Sequence, residues 1–255
     1  MPSPRRAPEN GRPTTEKVQS IFTSLAPDYD RFNKMSSLGI DRLWRRRTVK
    51  MARLTRNSRV LDLAAGTGDL TMAIATIASP ASVLATDFVP EMLEVAKEKA
   101  AAYDGPTTIE FAPADAQNLP FADESFDVVT IAFGVRNLPD RAANFREVHR
   151  VLKPGGRYVV LEMSRPPFAP FRALYHFYLH SVIPALGGMI TGDRASFEYL
   201  RDSILGFPGQ VALAGELHKT GFGEVTWRNL TFGIVAVHVA VKRTRLGAPG
   251  AERVG

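Results

Sequence analysis

The sequence predicts an α/β protein organised around a mostly parallel β-sheet. Short apolar segments alternate with helical patterns along most of the 255 residues, and this alternation is typical of parallel strands joined by crossover helices. In the clearest unit, an apolar run over 60–65 stops at Gly66-Thr67-Gly68 and a helical pattern over 70–78 follows. A strand, a glycine turn and a helix in this order hold nucleotide-type ligands at the carboxyl edge of such sheets. The glycines let backbone N–H groups approach the ligand because no Cβ intervenes.

The expected elements follow from apolar runs, helical stripes and turn residues. Strands are expected at 59–63, 81–86, 107–111, 126–132, 157–163, 225–230 and 234–241. Helices are expected between them at 70–78, 90–102, 144–152 and 210–220. The stretch Lys153-Pro154-Gly155-Gly156 is expected to stop one helix before the fifth strand begins. The last two strands are close enough in sequence to form an antiparallel hairpin.

The segments outside this alternation differ in composition. Residues 1–13 are rich in Pro, Arg and Gly and are predicted to be disordered, and 243–255 is predicted to be a flexible tail. The single domain, 14–242, begins with a helical cap over 14–56, with one helix from Thr15, a polar and aromatic turn at 26–33, and a second helix over 40–54. The aromatic segment 165–207 is too long for a plain connection and indicates a helical insert after the fifth strand.

Composition excludes several classes of chemistry. The chain has no cysteine, which excludes disulfides, thiolate nucleophiles, zinc–thiolate sites and cysteine-bound iron–sulfur clusters. The five histidines are scattered, and no metal is expected. His176 and His180 are four residues apart on an expected helix, where amphipathic packing is preferred over a metal or base role. No apolar run approaches the ~20 residues that span a bilayer, and the first residues lack the apolar core of a secretory signal. A cytoplasmic protein is expected. The net charge of +6 fits a solvated surface, a nucleic acid partner or an anionic membrane.

Acidic residues at successive strand ends narrow the choice of ligand. Thr71 replaces the third glycine of a dinucleotide fingerprint, which counts against a pyrophosphate under the helix, although the glycines alone also suit a plain structural turn. Asp87 ends the second strand, next to Phe88, where a carboxylate accepts hydrogen bonds from a ribose diol. After the third strand, Asp115-Ala116 suits an adenine edge. Asp62 either holds the glycine loop or faces a ligand amine. Acids without a phosphate-binding lysine indicate a cationic, phosphate-free ligand, and S-adenosylmethionine is such a ligand.

The chain resembles the class I S-adenosylmethionine-dependent methyltransferases in VLDLAAGTGDLT (60–71), ATDFVPEML (85–93), APADAQNLPFADESFDVVT (112–130) and VHRVLKPGGRYVVLE (148–162). That resemblance implies a Rossmann-like, seven-stranded, mostly parallel sheet with an antiparallel last strand. APDYDRFN (26–33), GIDRLWR (39–45), FGVRN (133–137), LEMSRP (161–166) and YLRDSI (199–204) are similar to the menaquinone/ubiquinone-biosynthesis C-methyltransferases. The second resemblance covers about 15–241 and implies methylation of a ring carbon of a polyprenylated quinol. Ala132 departs from the many relatives that carry a serine there.

The reaction that the resemblance implies suggests roles for three residues of this chain. Arg136 and Asn137 follow the fourth strand, where they could face the acceptor; Arg136 is expected to stabilise the phenolate, with a surface salt bridge as the alternative, and Asn137 to orient the acceptor. Tyr29 is expected to close over the pocket from the cap. A phenol with a pKa of about 10 costs about 4 kcal/mol to ionise at pH 7. A charged donor near the oxygen contributes about 1.5–3 kcal/mol. The general base that removes the ring proton is not identified.

Several alternatives stay open from sequence. A naphthoquinol acceptor, demethylmenaquinol, is preferred over a benzoquinol, but relatives use either. A nucleic-acid methyltransferase is disfavoured because the N-P-P-[YFW] tetrad and a catalytic cysteine are absent, so no nucleic acid partner is expected. A non-catalytic cofactor-binding assembly factor is the third reading. The aromatic insert is either the core of a helical lid or a wall for the prenyl tail. Peripheral contact with an anionic membrane and a homodimer are further expectations.

Overall fold

The computed structural model describes residues 19–20, 23, 29–185 and 194–244. The disordered segment predicted for 1–13, most of the helix predicted from Thr15 and the tail beyond residue 244 lie outside the described residues. Within them, the chain forms one seven-stranded sheet with helices on both faces.

The sheet has the strand order β3-β2-β1-β4-β5-β7-β6. Its strands are β1 Arg59–Leu63, β2 Ser82–Asp87, β3 Thr108–Pro113, β4 Phe126–Ala132, β5 Leu152–Met163, β6 Phe222–Leu230 and β7 Val235–Lys242. The first five pair in parallel, while β7 runs antiparallel to both β5 and β6. The predicted parallel sheet with an antiparallel last strand, including the final hairpin, is confirmed.

The predicted starts of β5 and β6 are wrong; β6 begins at Phe222 and not at residue 225. The stretch from Lys153 to Gly156 does not separate the helix from β5, because β5 already begins at Leu152. Leu152 pairs with Phe126 of β4, and the register then shifts before Val128 pairs with Arg157. The irregularity absorbs the extra residues, and Gly155 supplies the positive φ of 79° that this requires.

Helices cover both faces of the sheet because side chains alternate along each strand. They are α1 Tyr29–Ser36, α2 Asp41–Ala52, α3 Asp69–Ala78, α4 Pro90–Ala100, α5 Arg141–Val151, α6 Ala169–Phe177, α7 Arg194–Leu205 and α8 Gln210–Lys219. In β5, Tyr158 and Val160 pack with α5 and α8 on one face. The intervening Val159 and Leu161 pack with Trp44 and Ala52 of α2 on the other.

The predicted turn at 26–33 is wrong from Tyr29 onward, where α1 begins. Charges favour this helix because Asp30 lies in its first turn and Lys34 in its last, each stabilised by the helix dipole. The N–H of Gly39, at a φ of 74°, donates to the Lys34 carbonyl and closes the helix end. Helix α2 packs across a sheet face, so within the cap α1 and the first turn of α2 reach the carboxyl edge of the sheet.

The segment after β5 is helical, as expected. Helix α6 continues through a π-helical turn, Tyr178–Val182, and α7 follows residues 186–193, which are not described. Tyr175, Leu179, Ile183, Phe197 and Ile204 form a small apolar core of their own, which packs against Met163 at the end of β5 and Ile234. The insert is thereby placed over the carboxyl end of β5.

Candidate functional site

The glycine loop after β1 leaves open space where a side chain would otherwise stand. Gly66 has a φ of 56°, and a Cβ placed on it would meet no atom within 4 Å. Gly68 has a φ of 82° and differs, because a Cβ there would lie 2.9 Å from Cβ of Ala96 in α4. Gly66 therefore faces a cavity, whereas Gly68 allows close packing between α3 and α4.

Two buried carboxylates hold the loop. The N–H of Gly66 donates to Oδ2 of Asp87 at 2.8 Å, and the N–H of Val89 donates to its Oδ1 at 2.9 Å. Asp62 accepts from the hydroxyls of Thr71 in α3 and Thr130 in β4, both at 2.6 Å. Burial raises the pKa of Asp87, and it raises the pKa of Asp62 to about 6, against the lowering effect of the two hydroxyls.

A cleft of about 770 Å³ opens along the carboxyl edge from this loop, and we call it the edge cleft. Gly66, Asp87, Phe88, Asp115 and Ala116 are all among its lining residues. The carboxylate of Asp115 accepts from the N–H of residue 117 at 2.8 Å, which fixes the turn after β3.

A smaller space of about 360 Å³, the loop cleft, lies on the other side of the glycine loop. It is lined by Asp62, Thr67 and Asp69 and by Arg45 from α2. The Thr67 hydroxyl donates to Oδ1 of Asp30 in α1 at 2.6 Å, so a side-chain hydrogen bond joins the cap to the glycine loop. Lys99 of α4 forms ion pairs with Asp30 and Asp69.

A third space, the cap pocket, lies between the N-terminal helices and the insert and measures about 620 Å³. Most of its lining is apolar or aromatic. The lining residues are Asn33, Ser37, Asp41, Trp44, Arg45, Phe133, Arg136, Met163, Tyr175, Tyr178, Leu179, Ile183, Leu200 and Ile204. The hydroxyl of Tyr175 is buried without a hydrogen-bond partner in the described part of the chain.

Arg136 forms a buried ion pair at the wall of the cap pocket. Its Nη1 donates to Oε1 of Glu162 at 2.7 Å and to the Phe133 carbonyl at 2.6 Å, with 6% of the arginine side chain and 1% of the glutamate side chain exposed. The next residue, Asn137, lines the edge cleft instead. Its Oδ1 accepts from the Tyr199 hydroxyl at 3.0 Å. Arg136 and Asn137 therefore line different spaces, and the roles predicted for them toward the acceptor stay predictions.

Phe133 is the residue at which the three spaces meet, since it lines the edge cleft, the loop cleft and the cap pocket. It has a φ of 57°, a rare conformation for a bulky side chain. Its ring lies 6.2 Å from the ring of Trp44, and the guanidinium carbon of Arg45 lies 5.8 Å from its centroid. A ligand in the edge or loop cleft that extends past Phe133 would therefore reach the cap pocket.

The structure thus brings most predicted site residues to one edge of the sheet. Asp62, Gly66, Thr67, Asp87, Phe88, Asp115 and Ala116 line the edge or loop cleft. Gly68 does not line them, and the side chain of Tyr29 lies outside the described part of the structure. Sequence reasoning missed Arg45, Glu162, Tyr175 and Tyr199. Of these, Arg45, Glu162 and Tyr199 stand in the GIDRLWR, LEMSRP and YLRDSI stretches, which marked the segments without indicating a role.

Comparison with known proteins decides the family. The ubiE/COQ5 methyltransferase family matches residues 12–242. The chain belongs to this family. It is 44% identical over 230 residues to the ubiquinone/menaquinone biosynthesis C-methyltransferase UbiE of Geotalea daltonii, covering 89% of this chain and 97% of the relative. It is also 44% identical over 219 residues to the demethylmenaquinone methyltransferase of Thermus thermophilus, covering 86% and 98%.

Solved methyltransferase structures share the fold of this ubiE/COQ5 family member. One is a chain of the complex between the Haloferax volcanii Trm112 activator and a methyltransferase, with a TM-score of 0.64, 18% identity, and coverage of 87% of this chain and 97% of that one. Another is phosphoethanolamine N-methyltransferase 2 of Haemonchus contortus in complex with S-adenosyl-L-methionine, with a TM-score of 0.56, 18% identity, and coverage of 76% and 51%. At these identities the likeness supports the fold alone.

No helix in 29–185 or 194–244 is both long enough and apolar enough to cross a membrane. Across the same residues, no group of three or more His, Asp or Glu side chains is placed to hold a metal ion.

Proposed function

We propose that this family member transfers the methyl group of S-adenosylmethionine to a ring carbon of a polyprenylated quinol, with demethylmenaquinol as the acceptor. The observation that carries the proposal is the junction at Phe133, where clefts suited to a cationic nucleoside meet an aromatic pocket with a buried guanidinium. The relatives' names support a quinone-pathway acceptor, and the relative from Thermus thermophilus is named for demethylmenaquinone.

The residues of the edge and loop clefts fit the methyl donor. Gly66 leaves open space beside Asp87, whose oxygens each accept one backbone N–H and have further lone pairs for a ribose diol. Asp115 and Ala116 line the far end of the edge cleft, where an adenine would lie. Asp62 lines the loop cleft and is the acid that we assign to the ligand amine. The bound cosubstrate supplies an electrophilic methyl group on a sulfonium.

The chemical problem for the protein is to make the quinol ring carbon nucleophilic. Ionising a neighbouring hydroxyl of pKa ~10 at pH 7 costs about 4 kcal/mol. The buried guanidinium of Arg136 lines the pocket that would hold this ring, and a charged donor contributes about 1.5–3 kcal/mol, more where water is excluded. We therefore assign Arg136 to stabilisation of the phenolate oxygen.

The neighbouring contacts position this arginine and close the site. Glu162 accepts from both the side chain and the backbone N–H of Arg136, the latter at 3.2 Å, so the carboxylate fixes the guanidinium and is not assigned as the base. The Tyr199–Asn137 hydrogen bond connects the insert to the wall of the edge cleft. Holding the ring carbon in line with the donor would supply several further kcal/mol as an entropy effect.

The insert suits an acceptor with an apolar tail. Phe168, Leu174 and Phe177, at the start and along α6, are 66%, 62% and 62% exposed. Large apolar side chains concentrated on one short helix are typical of surfaces that contact lipid or another protein. We propose that this helix meets the membrane in which the prenyl tail lies, with the exposed basic residues of α2 at anionic headgroups. Two expectations from the sequence stay predictions: that the protein has no nucleic acid partner, and that it forms a homodimer.

A methyl-transfer assay with radiolabelled S-adenosylmethionine tests the proposal. The acceptors compared are demethylmenaquinol, the corresponding demethylated benzoquinol, and RNA. We expect transfer to a quinol, fastest to the naphthoquinol, and none to RNA. Faster transfer to the benzoquinol would replace the acceptor named here. Binding of S-adenosylmethionine without transfer to any acceptor would instead support a non-catalytic assembly factor.

Substitution of Arg136 tests its assigned role. Arg136→Ala should abolish turnover while S-adenosylmethionine still binds, because the guanidinium faces the acceptor. Arg146→Ala removes an exposed arginine of α5 and serves as the matched control with unchanged turnover. Because Arg136→Ala leaves Glu162 buried without its cation, the double variant Arg136→Gln with Glu162→Gln removes both charges and keeps the shape. Normal turnover in either variant would contradict the role.

A further inference from the structure

The loop cleft contains a single basic side chain among the described residues that line it. Asp62 and Asp69 are its acidic members, and Arg45 from α2 is its one cation. Under the function proposed above, the amino-acid part of S-adenosylmethionine lies beyond the ribose, and the loop cleft is the space on that side of Gly66. That part of the ligand carries an ammonium and a carboxylate. Acidic side chains suit the ammonium and the sulfonium, whereas the carboxylate needs a cation or N–H groups.

Arg45 is buried, with 7% of the residue exposed, and it is held from several sides. Its Nη1 forms an ion pair with Asp41 one turn earlier, and its Nη2 lies 3.4 Å from Oδ2 of Asp69. The guanidinium stacks near Phe133. Its Nε is buried and has no hydrogen-bond acceptor within the described ranges of the chain. A buried N–H without an acceptor costs free energy, and a ligand oxygen would relieve that cost.

We infer that Arg45 binds the carboxylate of the methyl donor's methionine part. A guanidinium presents five N–H donors in a planar fork that matches a carboxylate. Lys99, the nearest alternative cation in the ion-pair network, pairs with Asp30 and Asp69 and is not among the residues that line the loop cleft. Arg45 lines the cap pocket as well as the loop cleft, so it would fix the methionine part of the donor on the side that faces the acceptor.

Ligands that lack the carboxylate distinguish between two roles of Arg45: binding the ligand carboxylate, and supporting the structure of the loop cleft. The binding constants of S-adenosylmethionine, decarboxylated S-adenosylmethionine and methylthioadenosine are measured by calorimetry on the wild-type protein, on Arg45→Gln and on Arg47→Gln. Arg47 is an exposed arginine of the same helix and serves as the matched control. The wild-type protein should bind S-adenosylmethionine at least about tenfold more tightly than its decarboxylated form, as expected for a charge-assisted hydrogen bond.

In Arg45→Gln, this preference should disappear. The affinity for S-adenosylmethionine falls about tenfold or more, while the affinities for the two ligands without a carboxylate change less than about twofold. Arg47→Gln should keep all three wild-type affinities. If all three ligands weaken equally in Arg45→Gln, the arginine only supports the cleft, and the inference is wrong. If the preference for the carboxylate persists, the glycine-loop N–H groups hold it, and the inference is also wrong.

Two further measurements separate other causes of failure. Arg45→Lys keeps a cation beside Asp41 and Asp69, so it preserves folding if Arg45→Gln does not, and it should reduce the carboxylate preference because a lysine lacks the fork. An unchanged preference in Arg45→Lys would overturn the inference. If the wild-type protein binds neither S-adenosylmethionine nor methylthioadenosine, the proposed function itself fails, which is a different result from equal binding of the carboxylated and decarboxylated ligands.

Discussion

Asp62→Asn should stabilise the unliganded protein at neutral pH and weaken binding of the methyl donor. Asp62 is 1% exposed, and both of its oxygens accept hydroxyls at 2.6 Å. Asparagine keeps the shape and an acceptor oxygen for one hydroxyl, while its NH₂ group can donate to the other once that hydroxyl turns. The substitution therefore removes a buried negative charge without emptying the site.

The magnitude follows from the shift in pKa. Burial raises the pKa of Asp62 from its usual value of 3.8 to about 6. A shift of about two units corresponds to about 3 kcal/mol. The folded protein holds this proton more tightly than the unfolded chain, so the contribution of Asp62 to stability is fully present below pH 4 and is lost as the pH rises through 6. Asparagine does not titrate. The unfolding free energy of the variant should therefore rise relative to that of the wild type by about 2–3 kcal/mol as the pH increases from 4 to above 6.

The assay is urea unfolding of both proteins at half-unit steps from pH 4.5 to 7.5, without ligand. Groups that do not interact with Asp62 titrate equally in the two proteins, so the difference in unfolding free energy reports Asp62 together with its coupling to Arg45 and Asp87. Calorimetry at the same pH values should show that wild-type binding of S-adenosylmethionine releases a proton below pH 6, because a cation beside the carboxylate lowers its pKa. In Asp62→Asn, the binding should be weaker at pH 7.5 and should lack this proton release.

A difference in unfolding free energy that stays constant across the pH range would refute the reasoning about burial. Unchanged affinity of Asp62→Asn at pH 7.5 would refute a different step, because it would mean that the carboxylate only holds Thr71 and Thr130. The two readouts therefore distinguish between Asp62 as a support of the glycine loop and Asp62 as a partner of the ligand amine.

Two other predictions use single side chains of the site. Tyr175→Phe removes a buried hydroxyl without a partner in the described residues, so thermal stability should not fall. Because we expect this hydroxyl to donate to the acceptor, kcat/KM for the quinol should fall about two- to tenfold, and an unchanged kcat/KM would make Tyr175 a packing residue. Tyr103→Phe is the contrasting control, because the Tyr103 hydroxyl donates to the Ala75 carbonyl at 3.2 Å and accepts from the N–H of Thr107 at 3.3 Å, so its loss should lower stability and leave kcat/KM unchanged. Gly68→Ala should lower the unfolding free energy by about 2–4 kcal/mol, from the left-handed conformation and the contact with Ala96, as measured by thermal unfolding. Gly66→Ala should cost less stability, because only the strain applies, and should weaken donor binding more; the reverse order would contradict the placement of the two glycines.

The sheet could be predicted because its signals are local. Strands β1 and β4 were predicted with their observed bounds, since continuous apolar runs stop at turn residues. The start of β5 could not be predicted, because Pro154 and two glycines are ordinary breakers. Only the pairing of Leu152 with Phe126 shows that the strand continues through them. Similarly, α1 was predicted as a turn because Pro27, Asp28 and Asp30 are typical turn residues, although Tyr29, Phe32 and Met35 recur at helical spacing.

A site residue could be predicted where its position in the fold follows from the segment that carries it. Asp87 ends β2 and Asp115 follows β3, and parallel strands bring their carboxyl ends to one edge of the sheet. The missed residues depend on contacts between segments that are distant in sequence. Glu162 lies 26 residues after its partner Arg136, and Arg45 reaches the glycine loop only because α2 packs across the sheet. Neither contact leaves a periodicity or a spacing in the sequence.

The strained backbone at Phe133 gives a physical reason for the division of the site. A bulky residue at positive φ costs about 1–3 kcal/mol and persists only where its surroundings fix it. Here its N–H donates to the Leu161 carbonyl at 2.8 Å, while its own carbonyl accepts from Arg136 and, at 3.4 Å, from Nδ2 of Asn137. The turn thus directs Arg136 to the cap pocket and Asn137 to the edge cleft, while the ring of Phe133 lies where the spaces meet. A change of the Phe133 backbone to an unstrained conformation would therefore move Arg136 at the cap pocket and Asn137 at the edge cleft together. For this reason we place the methyl transfer at this junction.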